Sequence, residues 1–224
     1  MYKEILGQIA DFFSDERYQK EFSEAKKDYF DEAGKAFEDE PDYELKISGF
    51  LEWYLLDRIL DEERETPAEH FAKAHQEVDM DKDFLQALLE SQRSLFNIKN
   101  IKKYILEDLL YQPKAAYTLD QSCIEEKALL GLNKNQVIDA RIFKYQDKVF
   151  IMDTIFAHSV EASSLIKKEL KNNQHLVRKN ISTVLDFAYM AHRRQQFSHV
   201  DIKEIYSLEK IKQLRDEIKS GKKN

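Results

Sequence analysis

A chain of 224 residues, 42% hydrophobic and 34% charged, holds enough apolar side chain for a real core and too much for a disordered segment. Five glycines and three prolines are too few for an all-β fold of many tight turns. No apolar run approaches the ~20 residues of a membrane helix, and a single cysteine, Cys123, excludes an internal disulfide or a multi-cysteine metal site. The net charge of −7 is uneven: residues 1–93 carry 12 basic against 26 acidic side chains, 94–162 nine of each, and 163–224 carry 14 against 7. An acidic head and a basic tail attract each other within or between chains, or the tail meets an anionic partner such as nucleic acid.

The opening MYKEILGQIADFF lacks a basic start followed by a continuous apolar stretch, so it reads as a folded helix rather than a signal peptide, and a cytoplasmic location is expected. Ile5, Leu6, Ile9, Phe12 and Phe13 fall at helical spacing over 3–13. Ser14 offers an N-cap for a second helix to about Phe37, with Tyr18, Phe22, Ala25, Tyr29, Phe30 and Ala33 on one face. The segment EDEPD (38–42) breaks it, and a third helix spans roughly 43–60. After the solvated DEERE (61–65), TPAE (66–69) is a helix start in which Thr66 caps, Pro67 takes the first helical position and Glu69 completes a capping box. That helix runs to about His75, and another covers 81–92.

From Ser94 the pattern changes. Strands are predicted near 95–103, 105–111 and 115–119. QVIDARIFKY (136–145) and KVFIMDTI (148–155) form a hairpin about Gln146-Asp147, fed by the loop LGLNKNQ (130–136). Such short antiparallel strands curl into a small SH3-like barrel or half-barrel. Helices return at about 160–173, 174–196 and 201–219, before a frayed GKKN tail.

Recognised catalytic signatures are missing. Asp79, Asp81, Asp83 and Glu90 mimic positions 1, 3, 5 and 12 of a calcium loop, but Phe84 occupies the position that needs glycine, so the aspartates read as helix caps. His70 and His75 are five apart, whereas two ligands on one helical face need three or four. Cys123 lies in the acidic DQSCIEE, where a thiol is not activated. No GxSxG elbow and no glycine-rich phosphate loop is present. No metal and no cofactor is expected. The basic residues Lys167, Lys168, Lys171, Arg178, Lys179, Arg193 and Arg194 recur along the C-terminal helices. They are either a solvated face or an anion-binding stripe, with Tyr189, His192 and Phe197 near its end.

The stretch FLEWYLLDRIL (50–60) is apolar nearly all round a helix, which marks burial on several sides. Trp53, Asp57 and Arg58 then form either a clamp between layers or a pocket walled by Trp53. In the clamp reading Trp53 is mostly buried. Asp57 and Arg58, about 100° apart on a helix, then find different partners.

FLEWYLLDRIL, TPAEHF (66–71), LLESQRSLFNI (88–98), EDLL (107–110) and DARIFKYQDKVFIMD (139–153) together resemble a poorly characterised group of bacterial proteins. In that group a WFLFDR-type helix is followed by a TPxExF helix and a SLFEV strand opening a small β-rich module. Many of those proteins carry a SEC-C zinc motif, which a chain with one cysteine cannot build. The resemblance covers roughly residues 50–156 and implies no established activity.

The expected fold is α+β, mostly helical, with a small antiparallel β-barrel-like module inserted in the middle. An acidic helical region (1–93), the module (94–156) and a basic helical region (157–224) pack as one unit. The expected role is that of a non-enzymatic cytoplasmic binding or adaptor protein, with a protein partner or self-association. One alternative is a nucleic-acid-associated protein using 163–215. Another is a hydrolase with an unrecognised site, which requires a cleft with converging polar side chains.

Overall fold

The computed structural model describes residues 2–60, 64–75, 81–111, 115–121, 129, 131–177 and 181–219. Asp79, Cys123, Arg178, Lys179 and the GKKN tail therefore lie outside the described residues. The fold is α+β, with an antiparallel sheet that curls into a half-barrel between two groups of helices.

Five helices come first: α1 (Tyr2–Phe12), α2 (Gln19–Ala33), α3 (Tyr43–Leu56), α4 (Pro67–Ala74) and α5 (Lys82–Leu89). Ser14 does not cap α2. Its hydroxyl donates to the Asp11 carbonyl at 2.6 Å and closes α1, while Asp15 caps a single 3-10 turn at Glu16–Tyr18. Helix α2 stops at Ala33, short of the predicted Phe37, because Gly34 adopts φ +95° and leaves the helical ladder. The predicted capping box forms at α4: Thr66 Oγ accepts from the Glu69 amide at 3.2 Å and Glu69 accepts from the Thr66 amide at 2.7 Å. Asp81 caps α5 by accepting from the Phe84 amide at 2.9 Å, so this aspartate is a helix cap, as its setting suggested.

Helix α3 ends at Leu56, not at Leu60. The amides of Asp57 and Arg58 both donate to the Trp53 carbonyl, which unwinds the last turn. Ile59 is then exposed, whereas Leu60 turns back into the core.

The strands are β1 (Gln92–Asn100), β2 (Ile105–Asp108), β3 (Ala116–Thr118), β4 (Val137–Tyr145), β5 (Lys148–Ile151) and β6 (Phe156–Ala157). They are ordered β3-β2-β1-β4-β5, all antiparallel, with β6 also pairing with β4. Gln146 and Asp147 both take positive φ (48° and 59°), the turn geometry a two-residue hairpin requires, without a glycine. Beyond β3, Leu119 bridges to Val149 of β5 and draws the two outer strands together. Strand β6 has no counterpart in the sequence prediction: two residues carry no periodicity, and only pairing with β4 defines it.

The chain closes with α6 (Val160–Asn172), α7 (Ile181–Gln196), α8 (Ile202–Ile205) and α9 (Leu208–Lys219). The last two replace one predicted helix over 201–219, which breaks at Tyr206 and Ser207. Helix α2 packs against α7, and α7 against β1, so both helical groups touch each other as well as the sheet. Arg215 of α9 donates to the Glu32 carbonyl in the last turn of α2, a cation at a helix C-terminus.

Three apolar clusters fill this frame. One lies inside the half-barrel, with Phe96, Ile98, Leu106, Ile138, Ile142 and Ile151. One lies among α1–α5 and reaches Phe143, and one among α6–α9 reaches Leu95 and Val137. Alternate residues of β1 and β4 therefore face different cores, and both strands are buried on both faces.

Candidate functional site

The outward face of β1 and β4 should be apolar if it merely received helices. Instead it presents Arg93, Asp139 and Arg141, each at most 4% exposed. Arg93 sits opposite Arg141 in the register, one diagonal step from Asp139. Its guanidinium grips Asp139 with two parallel bonds of 2.8 and 2.7 Å. A third donation, 3.3 Å, reaches the Gly49 carbonyl on α3. Gly49 lets the helix lie this close, since a Cβ there would stand 2.9 Å from the Phe156 ring and 3.0 Å from the Tyr29 hydroxyl.

Arg141 continues the polar layer. It pairs with Asp57 at the end of α3, donates to the Ser91 hydroxyl at 3.2 Å, and stands 4.0 Å from Glu52. Burial raises the Glu52 pKa, and the Arg141 charge offsets this only in part. Two arginines and three carboxylates thus fix α3 to the sheet in one orientation, with little room for slippage.

A cleft of about 280 Å³ opens beside this layer, where α2, α3, α7 and β6 converge. Phe30 and Ala33 of α2, Phe156 of β6, and Ala188 and Ala191 of α7 give it apolar walls. Asp139 reaches it from below, Lys46 and Asp42 stand along the α3 side, and His158 and His192 complete the polar lining. Lys46 is paired with Glu40 at 2.8 Å and Asp42 at 3.2 Å.

The two histidines stand apart from the ion pairs of the cleft. His158 is 4% exposed. Its backbone amide donates to the Val137 carbonyl, and its own carbonyl accepts from Gln136, so the ring is held by the sheet. Its Nδ1 lies 3.4 Å from the Tyr206 hydroxyl, and its Nε2 is buried with no partner among the described residues. Burial lowers its pKa to about 4. His192, 6% exposed, lies over Gly34, where a Cβ would stand 2.6 Å from the ring. Its Nδ1 is likewise buried without a partner, and burial, with Lys46 adding to it, lowers its pKa. Both rings are neutral at pH 7. Buried polar atoms are nearly always paired, so two ring nitrogens with neither a hydrogen bond nor an ion pair among the described residues mark the cleft out.

The residues singled out from the sequence fall elsewhere. Trp53 is buried against Tyr29 (ring centroids 5.3 Å apart) and Phe50, and it does not line the cleft. Asp57 and Arg58 part company: Asp57 goes to β4, while Arg58 reaches back to Glu21 (3.1 Å) and Asp28 (2.8 Å) on or near α2. Of the basic residues, Lys168 and Lys171 are exposed on α6. Lys167 is half-buried and donates to the Asn135 carbonyl at 2.7 Å. Arg194 closes the loop after α7 through Ser198 and Val200, and Arg193 lies over Phe197. His158 and His192 looked merely scattered in the sequence, since the fold joins positions far apart in the chain. Asp139 and Arg141 had one visible signal, charges set inside the β-branched run VIDARIF, whereas Arg93, between Gln92 and Ser94, had none.

Among the described residues no three His, Cys, Asp or Glu side chains converge as a metal site, and no helix is long and apolar enough to cross a membrane. No curated protein and no solved structure matches the chain. One family model matches residues 3–197, a span holding the whole sheet, α1–α7 and every residue that lines the cleft. The chain therefore belongs to DUF7986, a family of unknown function.

Proposed function

We propose that this is a non-enzymatic binding protein of the cytoplasm, with the cleft between α2, α3, α7 and β6 as the seat of its ligand. One observation carries the reading: two buried histidines that line a single cleft each leave a ring nitrogen unpartnered among the described residues, hydrogen-bonding capacity that the fold does not use. The remaining lining argues for binding over turnover. It contains no serine, threonine or cysteine to serve as a nucleophile, and Asp139, Asp42 and Lys46 already have partners within the protein. The cleft brings polar side chains together as a hydrolase would need, but among the described residues no serine, threonine or cysteine lines it to attack a substrate directly.

Thermal shift against a library of small metabolites tests this. A ligand at 100 times its Kd adds about 2.7 kcal/mol of stability. For a chain of this size that raises Tm by about 5–10 °C. The same ligand should leave A191L, with its cleft filled, unmoved. If no compound raises Tm, or if the compound that does so is hydrolysed, the reading is lost.

A further inference from the structure

We propose that the cleft selects a small, flat, uncharged molecule bearing a hydrogen-bond acceptor, such as a primary carboxamide or a ring carbonyl, and rejects ions of either sign. This rests on the binding reading above and names the class of ligand.

Charge is the first argument. Every ionic group that lines the cleft is already matched inside the protein: Asp139 by both arms of Arg93, and Lys46 by Glu40 and Asp42. An anion entering would leave no free cation to meet it, and a cation no free carboxylate. Either would lose its hydration without compensation. The groups left over are neutral: the two imidazoles, each with one ring nitrogen unpartnered among the described residues.

The second argument concerns which atom donates. Burial raises the Tyr206 pKa, so its hydroxyl keeps its proton. With its proton kept, and with Nδ1 of His158 (3.4 Å) as its one hydrogen-bond partner among the described residues, the Tyr206 hydroxyl is assigned as the donor of that contact. The neutral ring then carries its own proton on Nε2, the atom without a partner. An unused N–H calls for an acceptor on the ligand. His192 Nδ1, also unused, gives a second point of attachment for a group that both donates and accepts, as a carboxamide does.

Shape is the third. About 280 Å³ is just under the ~300–1,000 Å³ of sites that enclose drug-sized ligands. Phe30 and Phe156 with the small faces of Ala33, Ala188 and Ala191 suit a single ring.

Three probes of nearly identical shape isolate the charge: benzamide (neutral), benzoate (anionic) and benzamidine (cationic). Each is titrated at pH 7 into the full chain with 15N-labelled histidine, reading the ring signals of His158 and His192. Benzamide should move both signals to saturation, with the unbound His158 ring showing the pattern of a neutral Nε2–H tautomer. Benzoate and benzamidine should bind at least ten times more weakly. A191L should bind none of the three while keeping the wild-type Tm. If either ion binds as well as benzamide and moves the same signals, the charge inference is overturned and the cleft survives as a binding site. If none of the three moves either signal, the cleft itself is overturned as a site.

Discussion

The two faces of the half-barrel solve the same packing problem by opposite means. The inner face is apolar, with Phe96, Ile98, Ile138 and Ile142 filling the space the curl encloses. The outer face of the same two strands is ionic, with Arg93, Asp139 and Arg141 clasping Gly49, Glu52 and Asp57 of α3. Apolar contact is tolerant of direction, so it can fill a barrel but does little to orient a helix lying across it. Fixed charge pairs supply the orientation and cost desolvation. The cleft stands at the margin of the ionic face. Its geometry therefore depends on α3 being held at one angle, and the inner core alone could not guarantee that.

The sharpest way to break this contrast is to orphan a charge. Asp139→Ala leaves the Arg93 guanidinium buried and unpaired and should cost about 3–5 kcal/mol in urea unfolding. Phe96→Ala on the inner face should cost a similar amount by opening a cavity. The double change Arg93→Met/Asp139→Leu then separates the faces. It should recover most of the stability lost in Asp139→Ala, because no charge remains to desolvate. A double variant as unstable as the single one would show that the pair stabilises in its own right.

Titration separates the faces next. His158 has its folded pKa depressed to about 4, against an ordinary value near 6.5. Above pH 6.5 both folded and unfolded chains carry the neutral ring, so its contribution to stability is fully present. As pH falls from 6.5 to 4 only the unfolded chain takes up the proton, and stability is lost by about 3 kcal/mol. The difference between wild type and His158→Phe, measured by urea unfolding across that window, isolates the effect. A difference that does not change with pH would mean the ring is not buried neutral.

The smallest effect belongs to Arg58. Of its partners, the Asp28 side chain is 56% exposed and Glu21 is half-buried, so the cluster stays in reach of water. Arg58→Met should cost at most about 1 kcal/mol, and 0.5 M salt should erase much of the difference. A cost like that of Asp139→Ala would mean that α2 is held to α3 as tightly as α3 is to the sheet.

Local signals were legible wherever the chain alone determines the outcome. TPAE shows its capping box because all its parts lie within four residues, and the hairpin about Gln146-Asp147 shows in the two flanking β-branched runs. FLEWYLLDRIL is legible as a buried segment, but its end is not. Leu60 looks like one more helical position, whereas its side chain enters the core from a turn after α3 has unwound. The cleft as an assembly left no mark, although Asp139 alone stood out as a charge in an apolar run. Gly34, Asp139, His158 and His192 meet only after the sheet has folded and α2 has docked on α7, and no spacing rule connects residues that far apart. Strand β6 failed for the same reason, since pairing with β4 is all that defines it.

The bridge from Leu119 to Val149 has a consequence for the protein in a crowded solution. A sheet of five strands ordinarily offers two borders of bare backbone groups, each able to add a strand from a neighbouring chain. Here the curl turns β3 and β5 toward one another. The Asp120 amide donates to the Val149 carbonyl at 2.9 Å across that seam. Groups that could seed aggregation are spent within one molecule. Loosening that seam, for instance with proline at Val149, should show itself as precipitation on standing rather than as lost cleft binding.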